Sequence, residues 1–292
     1  LIYSAVSLSG NGISIDGGKG VGRVTKNGLD QPVGNAAINR VPREMISHSV
    51  TEVCEAHGYR KGVNVIISVP DGEELAKRTF NPRLGIIGGI SVLGTSGIVE
   101  PMSEKAIIDT TRVEMHVRLA SGAKYLLIVP GNYGKDFISS FPGIHEDDAI
   151  KCSNFVGEAL DSAAEFGAEG ILLVGNIGKM VKLAGGIMNT HSRCGDCRME
   201  ILGSCALEAG VKNIDLMKIM ASPTTEDALQ RMAEARKLKE SMNILIKRIA
   251  FHIDSRVRGK ITTGAIVFSS VLGELCRTDN AEEMIKAIGE EA

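Results

Sequence analysis

The chain has 292 residues, 43% hydrophobic and 23% charged, with 33 basic and 35 acidic side chains and a net charge of −2. That composition excludes a disordered or collagen-like chain, and the near-neutral balance excludes a surface built for general attraction to nucleic acid. Glycine is over-represented, 34 residues against a background of ~7%. Aromatics are scarce, with no Trp, four Tyr and seven Phe, so the core is aliphatic and stacking on single-stranded bases is disfavoured.

Apolar runs such as Ile171–Gly175 fall far short of the ~20 residues that span a bilayer. The reading is therefore a protein with no membrane and no nucleic-acid partner. No signal peptide is visible, and the chain opens at Leu1 inside an apolar run. The six scattered cysteines (Cys54, Cys152, Cys194, Cys197, Cys205 and Cys276) read as free thiols of the cytoplasm rather than a disulfide framework.

In chain order, Ile2–Leu8 and Ile13–Ile15 alternate around Ser9-Gly10-Asn11-Gly12, which predicts a hairpin. A glycine-dense stretch, Gly17–Gly22, follows. Pro42 opens a helix to about Cys54, and Val63–Val69 is a buried strand stopped by Pro70-Asp71-Gly72. Ser103 caps a helix that runs to Ser121 and stops at Gly122. Alternation from Val113 to Leu119 also fits a strand, but the length without a turn favours the helix.

Tyr125–Val129 is a buried strand, Ala149–Cys152 a short one, and Asn154 caps a helix through Phe166. Gly170–Val174 is the next strand; helices follow at Cys197–Glu208 and Thr224–Ile249, the latter with a possible break near Ser241. Ala265–Phe268 and Gly273–Cys276 close the chain as a strand pair. Strand, glycine loop and helix in repetition predict an open parallel α/β sheet that binds ligands at its strand C-termini. The fold class is thus α/β, α+β overall. A β-rich α+β domain covers 1–100 and an open Rossmann-like parallel α/β domain covers 101–292. Packing of 250–292 back onto the first domain is the alternative.

Four motifs carry candidate chemistry. Asn81–Gly97 interleaves glycines with β-branched residues, which lets a backbone approach a ligand; a twisted strand with tight turns explains it equally. Gly131-Asn132-Tyr133-Gly134-Lys135 and Gly175-Asn176-Ile177-Gly178-Lys179 share the form Gly-Asn-X-Gly-Lys after a strand, so two such loops on adjacent strands would line one crevice. Gly185–Arg193 places His191 and Arg193 beside two glycines, a carboxylate fork and a proton carrier. His191, Cys194 and Cys197 fall short of the four ligands of a structural zinc site, and no protein-bound metal is expected. Neither a Gly-X-Ser-X-Gly elbow nor a His-Glu-X-X-His helix is present.

Longer strings resemble one family. They are Gly20–Lys26, Ala37–Ile46, Asn81–Ser103, Pro130–Gly134, Asn154–Glu158 and Gly175–Arg193, and together they are similar to the CbiD family of anaerobic cobalamin biosynthesis. The resemblance implies transfer of a methyl group from S-adenosylmethionine to C1 of cobalt-precorrin-5B, giving cobalt-precorrin-6A, with the cobalt belonging to the substrate. It also implies a segment before Leu1 carrying a Gly-Tyr-Thr-Thr-Gly-Thr-like motif. The family usually has His where Asn176 stands, so that position is not an indispensable base.

Under this resemblance the cofactor crevice is framed by Gly88, Gly89, Gly94, Thr95, Gly131, Asn132, Gly134, Gly175 and Gly178, with a cofactor carboxylate at a helix N-terminus beside one of these loops. Arg43, Arg83, Lys182 and Arg193 are candidate partners for the corrinoid carboxylates, and His191 is the candidate catalytic residue. The partner is a cobalt-corrinoid small molecule; other enzymes of the pathway and a homo-oligomeric assembly are compatible with this reading. The alternatives are a non-catalytic protein that carries corrinoid intermediates, and a nucleotide-dependent enzyme suggested by the glycine loops alone.

Overall fold

The computed structural model describes residues 1–93, 104–131 and 135–291, the side chains of 135, 136 and 291 excepted. The backbone separates into two compact units, Leu1–Ala106 and Ile107–Ala292.

The first unit contains β1 (Tyr3–Ser9), β2 (Ile13–Gly17), β3 (Gly20–Val21), β4 (Arg23–Val24), α1 (Arg40–Ala56), β5 (Gly62–Ser68), α2 (Gly72–Ala76), β6 (Ile86–Ile87) and β7 (Gly89–Ile90). Its main sheet has the order β1-β5-β2. The expected hairpin therefore does not form: β5 runs antiparallel to β1 and parallel to β2, between them. β5 is the strand with three buried aliphatics, Val63, Val65 and Ile67, and the central place satisfies both of its edges. The sheet then buries those residues against Ile46, Val50 and Cys54 of α1.

The glycine-dense stretch is a crossing of backbones. β3 pairs with β7 through Gly20 and Gly89, and a Cβ added to Gly20 would overlap the Val69 carbonyl, one on Gly72 the Gly20 carbonyl, and one on Gly89 the same carbonyl. Gly20 also has φ +74°, a region that L side chains rarely adopt.

The second unit begins in α3 (Glu104–Ala120) and continues through β8 (Tyr125–Val129), α4 (Lys135–Ile138), β9 (Ala149–Lys151), α5 (Val156–Glu165), β10 (Gly170–Asn176), α6 (Ile177–Leu183), α7 (Arg198–Glu208), α8 (Asn213–Met220), α9 (Thr225–Glu234), α10 (Leu238–Val257), β11 (Thr262–Ser269), β12 (Gly273–Arg277) and α11 (Ala281–Glu291). The sheet order is β12-β11-β10-β8-β9. All neighbours are parallel except β12, which runs antiparallel to β11.

Strict alternation divides this sheet between two cores. Leu126, Ile128, Ile171, Leu173, Ala265 and Val267 face the cluster that includes α5, α6, α7 and α10. Leu127, Val129, Leu172, Val174, Ile266 and Phe268 face the cluster completed by Ile138, Phe141 and α11. A sheet covered on both faces reads as continuous apolar runs, which is why these strands were legible.

Two further expectations are corrected. The stretch 224–249 is two helices, not one broken at Ser241: Arg236 takes φ +56°, and the Lys237 amide donates to the Met232 carbonyl at 2.9 Å, a left-handed helix end built without glycine. Asn154 does not cap α5, whose N-cap position is Phe155. The helices α8 and α11 were not anticipated, and the strand pair expected to close the chain is followed by α11. The proposed cap Ser103 lies outside the described residues.

Candidate active site

In the second unit the chain enters at β8, passes to β9 on one side of it, and returns to β10 on the other. The direction of winding reverses between β8 and β10. The crevice beyond the C-termini of such strands is where open α/β sheets place ligands. The two Gly-Asn-X-Gly-Lys loops follow these two strands.

At the end of β10, the Asn176 side chain accepts from the Gly178 amide at 2.9 Å and donates through Nδ2 to Ser270 Oγ at 3.1 Å. This satisfies an orphan amide at the start of α6, so the cap is provided by the protein itself. Gly175 is buried: a Cβ there would stand 2.7 Å from Met180 Sδ and 3.0 Å from Pro130 Cγ, which gives it a packing role.

From α6, Lys179 reaches across the strand ends. Its Nζ donates to the Ser153 carbonyl at 3.1 Å and to Asn154 Oδ1 at 2.8 Å, and it lies against Gly131, where an added Cβ would be 3.0 Å from Nζ. One ammonium, carried on the helix that follows β10, thus touches Gly131 after β8 and the Ser153–Asn154 turn after β9. Ser153 holds φ +55°, a strained conformation for a residue with a side chain, and its carbonyl faces that ammonium. Asn154 Oδ1 also accepts from Thr190 Oγ1 at 3.2 Å, while the Thr190 amide donates to the Asn154 carbonyl at 2.9 Å. Lys182, 3% exposed, donates to the Thr190 carbonyl at 3.1 Å.

Burial lowers the proton affinity of Lys179, and the neighbouring Lys182 adds to the effect, with Cys152 opposing it. Burial pushes the Cys152 thiol up to about 12, so it is neutral at physiological pH.

The sequence-derived candidates are distributed as follows. His191 follows Thr190, and its Nδ1 accepts from the Arg193 amide at 3.1 Å. The neutral ring therefore carries its proton on Nε2. Action as a base at Nε2 would require the tautomer that breaks this bond; the ring as held is a donor. Arg193 is exposed in the same turn. Lys182 is buried and braces that turn from within rather than lining a surface.

In the first unit, Arg43 donates to the carbonyls of Ile38 at 2.8 Å, Ile15 at 2.7 Å and Ala36 at 3.2 Å. It clamps α1 to the sheet, which accounts for its guanidinium without a substrate carboxylate. Gly89 belongs to the glycine crossing, Gly88 is open to solvent at φ +82°, and Arg83 is half-buried beside it in sequence. Gly94, Thr95, Asn132 and Gly134 lie outside the described residues. Lys179, Asn154 and Thr190 were not singled out as site residues. The available signal was the lysine that ends each Gly-Asn-X-Gly-Lys string.

Among the described residues no three His, Cys, Asp or Glu side chains are grouped as metal ligands, and no helix is long and apolar enough to cross a membrane.

Comparison with known proteins identifies the family. The family model CbiD matches residues 1–101, and the model of the CbiD C-terminal domain matches 189–279. A cobalt-precorrin-5B C(1)-methyltransferase of Ruminiclostridium cellulolyticum is 45% identical over 100% of this chain and 77% of its own length. Its counterpart in Alkaliphilus metalliredigens is 43% identical over 96% of this chain and 73% of its own. A crystal structure of the cobalamin biosynthesis protein CbiD from Archaeoglobus fulgidus matches 62% of this chain and 56% of that one at 27% identity, with a TM-score of 0.28. With a relative 45% identical over the whole chain, and CbiD family models matching residues 1–101 and 189–279, the chain belongs to the CbiD family.

Proposed function

We propose that this chain is a cobalt-precorrin-5B C1-methyltransferase of anaerobic cobalamin biosynthesis, with S-adenosylmethionine as methyl donor. The observation that carries the reading is 45% identity along the entire chain to a relative of that activity. The crevice at the β8–β10 reversal is the place in the second unit that suits a ligand. At Gly131 the backbone lies directly against Lys179, and the strand ends are braced by the Asn154–Thr190 and Asn176–Ser270 hydrogen bonds.

When bound, the donor supplies an activated methyl group on a sulfonium centre, so the chemistry asks little acid–base assistance from the protein. What the chain contributes is position. Bonded loops on rigid strand ends hold the reactants within attack distance. His191, with its proton on Nε2, offers a hydrogen bond rather than a base. The Gly131, Gly175 and Gly178 backbones are the cofactor-side candidates, and Arg193 is the exposed candidate for a corrinoid carboxylate.

The test is calorimetry of S-adenosylhomocysteine on the full chain, followed by mass spectrometry of the corrinoid product. Binding, and a product heavier by one methylene, are expected. Corrinoid binding without methyl transfer would instead favour a carrier of intermediates, and binding of neither ligand would refute the reading.

A further inference from the structure

We propose that the ammonium of Lys179, between Gly131 and Asn154, is the site in the β8–β10 crevice that receives a carboxylate of a bound reactant. This rests on the methyltransferase reading and names a contact within that site.

The first observation is uncompensated charge. Lys179 and Lys182 stand one turn apart on α6, half-buried and buried respectively. Their partners are neutral oxygens: the Ser153 and Thr190 carbonyls and the Asn154 amide oxygen. Among the described residues no carboxylate forms an ion pair with either lysine. Asp196 feels the field of Lys182, but it is exposed and bonded to Arg198. Among the described residues the acidic group beside Lys179 is the Cys152 thiol, which burial keeps protonated. Removing ammonium groups from water without an anion is unfavourable, so an anion added beside them would stabilise the pair.

The second observation is direction. An ammonium carries three protons. Two of those on Lys179 are engaged by Ser153 and Asn154. The side chain also lies against the Gly131 backbone, where an added Cβ would stand 3.0 Å from Nζ, and Lys179 keeps part of its surface exposed. Ser153, held at φ +55°, fixes the amine from behind. The geometry is that of a preset, partly exposed cation at the strand ends where this sheet class binds ligands.

The ligand chemistry is a carboxylate, and the methyltransferase reading offers two: the amino-acid end of the methyl donor and the acid side chains of the corrinoid. Calorimetry on the full chain distinguishes them. The probes are S-adenosylhomocysteine, 5′-methylthioadenosine, which lacks that carboxylate, and a cobalt corrinoid acid, each titrated into the wild type and Lys179→Met. A loss of about 10- to 100-fold is expected for a carboxylate-bearing ligand, with methylthioadenosine unchanged. Loss on S-adenosylhomocysteine assigns the donor's carboxylate; loss on the corrinoid acid alone assigns the periphery of the macrocycle.

Wild-type affinity for that ligand should also weaken as the pH rises through the lowered titration of Lys179, and the variant should show no such step. Unchanged affinities for both acids overturn the proposal and leave Lys179 as a strut between loops. A loss that extends to methylthioadenosine marks a disrupted crevice and also overturns it. If Lys179→Met unfolds, Lys179→Gln is judged by the same criteria. Wild-type protein that binds neither reactant refutes the methyltransferase reading itself, a result distinct from equal binding by wild type and variant.

Discussion

The two units use glycine for different purposes. In the first, Gly20, Gly72 and Gly89 let main chains cross where a side-chain carbon would meet a carbonyl oxygen. In the second, Gly175 and Gly131 let side chains, Met180 and Lys179, lie over the strand ends. The difference matters because a backbone carbonyl inside a paired strand cannot retreat, while a methionine or lysine side chain can turn to another rotamer. Glycine enrichment in this chain is therefore one statistic with two physical causes.

Substitution at three glycines tests this contrast. Gly20→Ala is expected to have the largest effect. Its φ of +74° and the Val69 carbonyl in the way combine strain with a clash that only backbone movement relieves, so a loss of about 4 kcal/mol or more is expected. Hydrogen exchange should localise the loss to residues 1–106; a change below about 1 kcal/mol would refute the backbone crossing.

Gly175→Ala should have an intermediate effect, about 1–3 kcal/mol of overpacking, because Met180 can adapt. Denaturant unfolding of the second unit measures it, and a loss as large as that of Gly20→Ala would erase the distinction between the two kinds of site. Gly88→Ala should be mildest, about 1–2 kcal/mol for its φ of +82°, since nothing lies within 4 Å of the added carbon. A fall in ligand affinity beyond that small stability change would give Gly88 the cofactor contact assigned to it as a candidate.

The two units also differ in how far they could be read in advance. The strands of the second unit, Tyr125–Val129 and Gly170–Asn176, are continuous aliphatic runs closed by glycine loops. Their burial on both faces makes the pattern unmistakable. In the first unit β1 and β2 have the alternation and the turn of a hairpin, yet β5 lies between them, because local pattern carries no record of which strand will be inserted. The end of α9 was hidden for a related reason: Arg236 adopts a left-handed conformation that a sequence ordinarily signals with glycine.

The candidate site shows the same division. The paired Gly-Asn-X-Gly-Lys strings pointed to two loops at strand ends, and those loops do follow the adjacent strands β8 and β10. The charged candidates were chosen by residue type. Type alone did not distinguish Arg43, committed to three carbonyls, from Arg193, exposed in the turn beside His191.

What the sequence determined by itself was the aliphatic character of the core, the placement of the parallel strands, the glycine loops at their ends and the family. These follow from periodicity, composition and long strings of identity, all properties of neighbours in the chain. What only the tertiary structure decided was strand order, the reversal of winding between β8 and β10, and the gathering of Gly131, Ser153, Asn154, Lys179 and Thr190 around one ammonium. Those residues come from segments up to 59 positions apart by their numbering. Their meeting depends on which strands pair and in which order, and that is settled by burying both faces of the sheet at once.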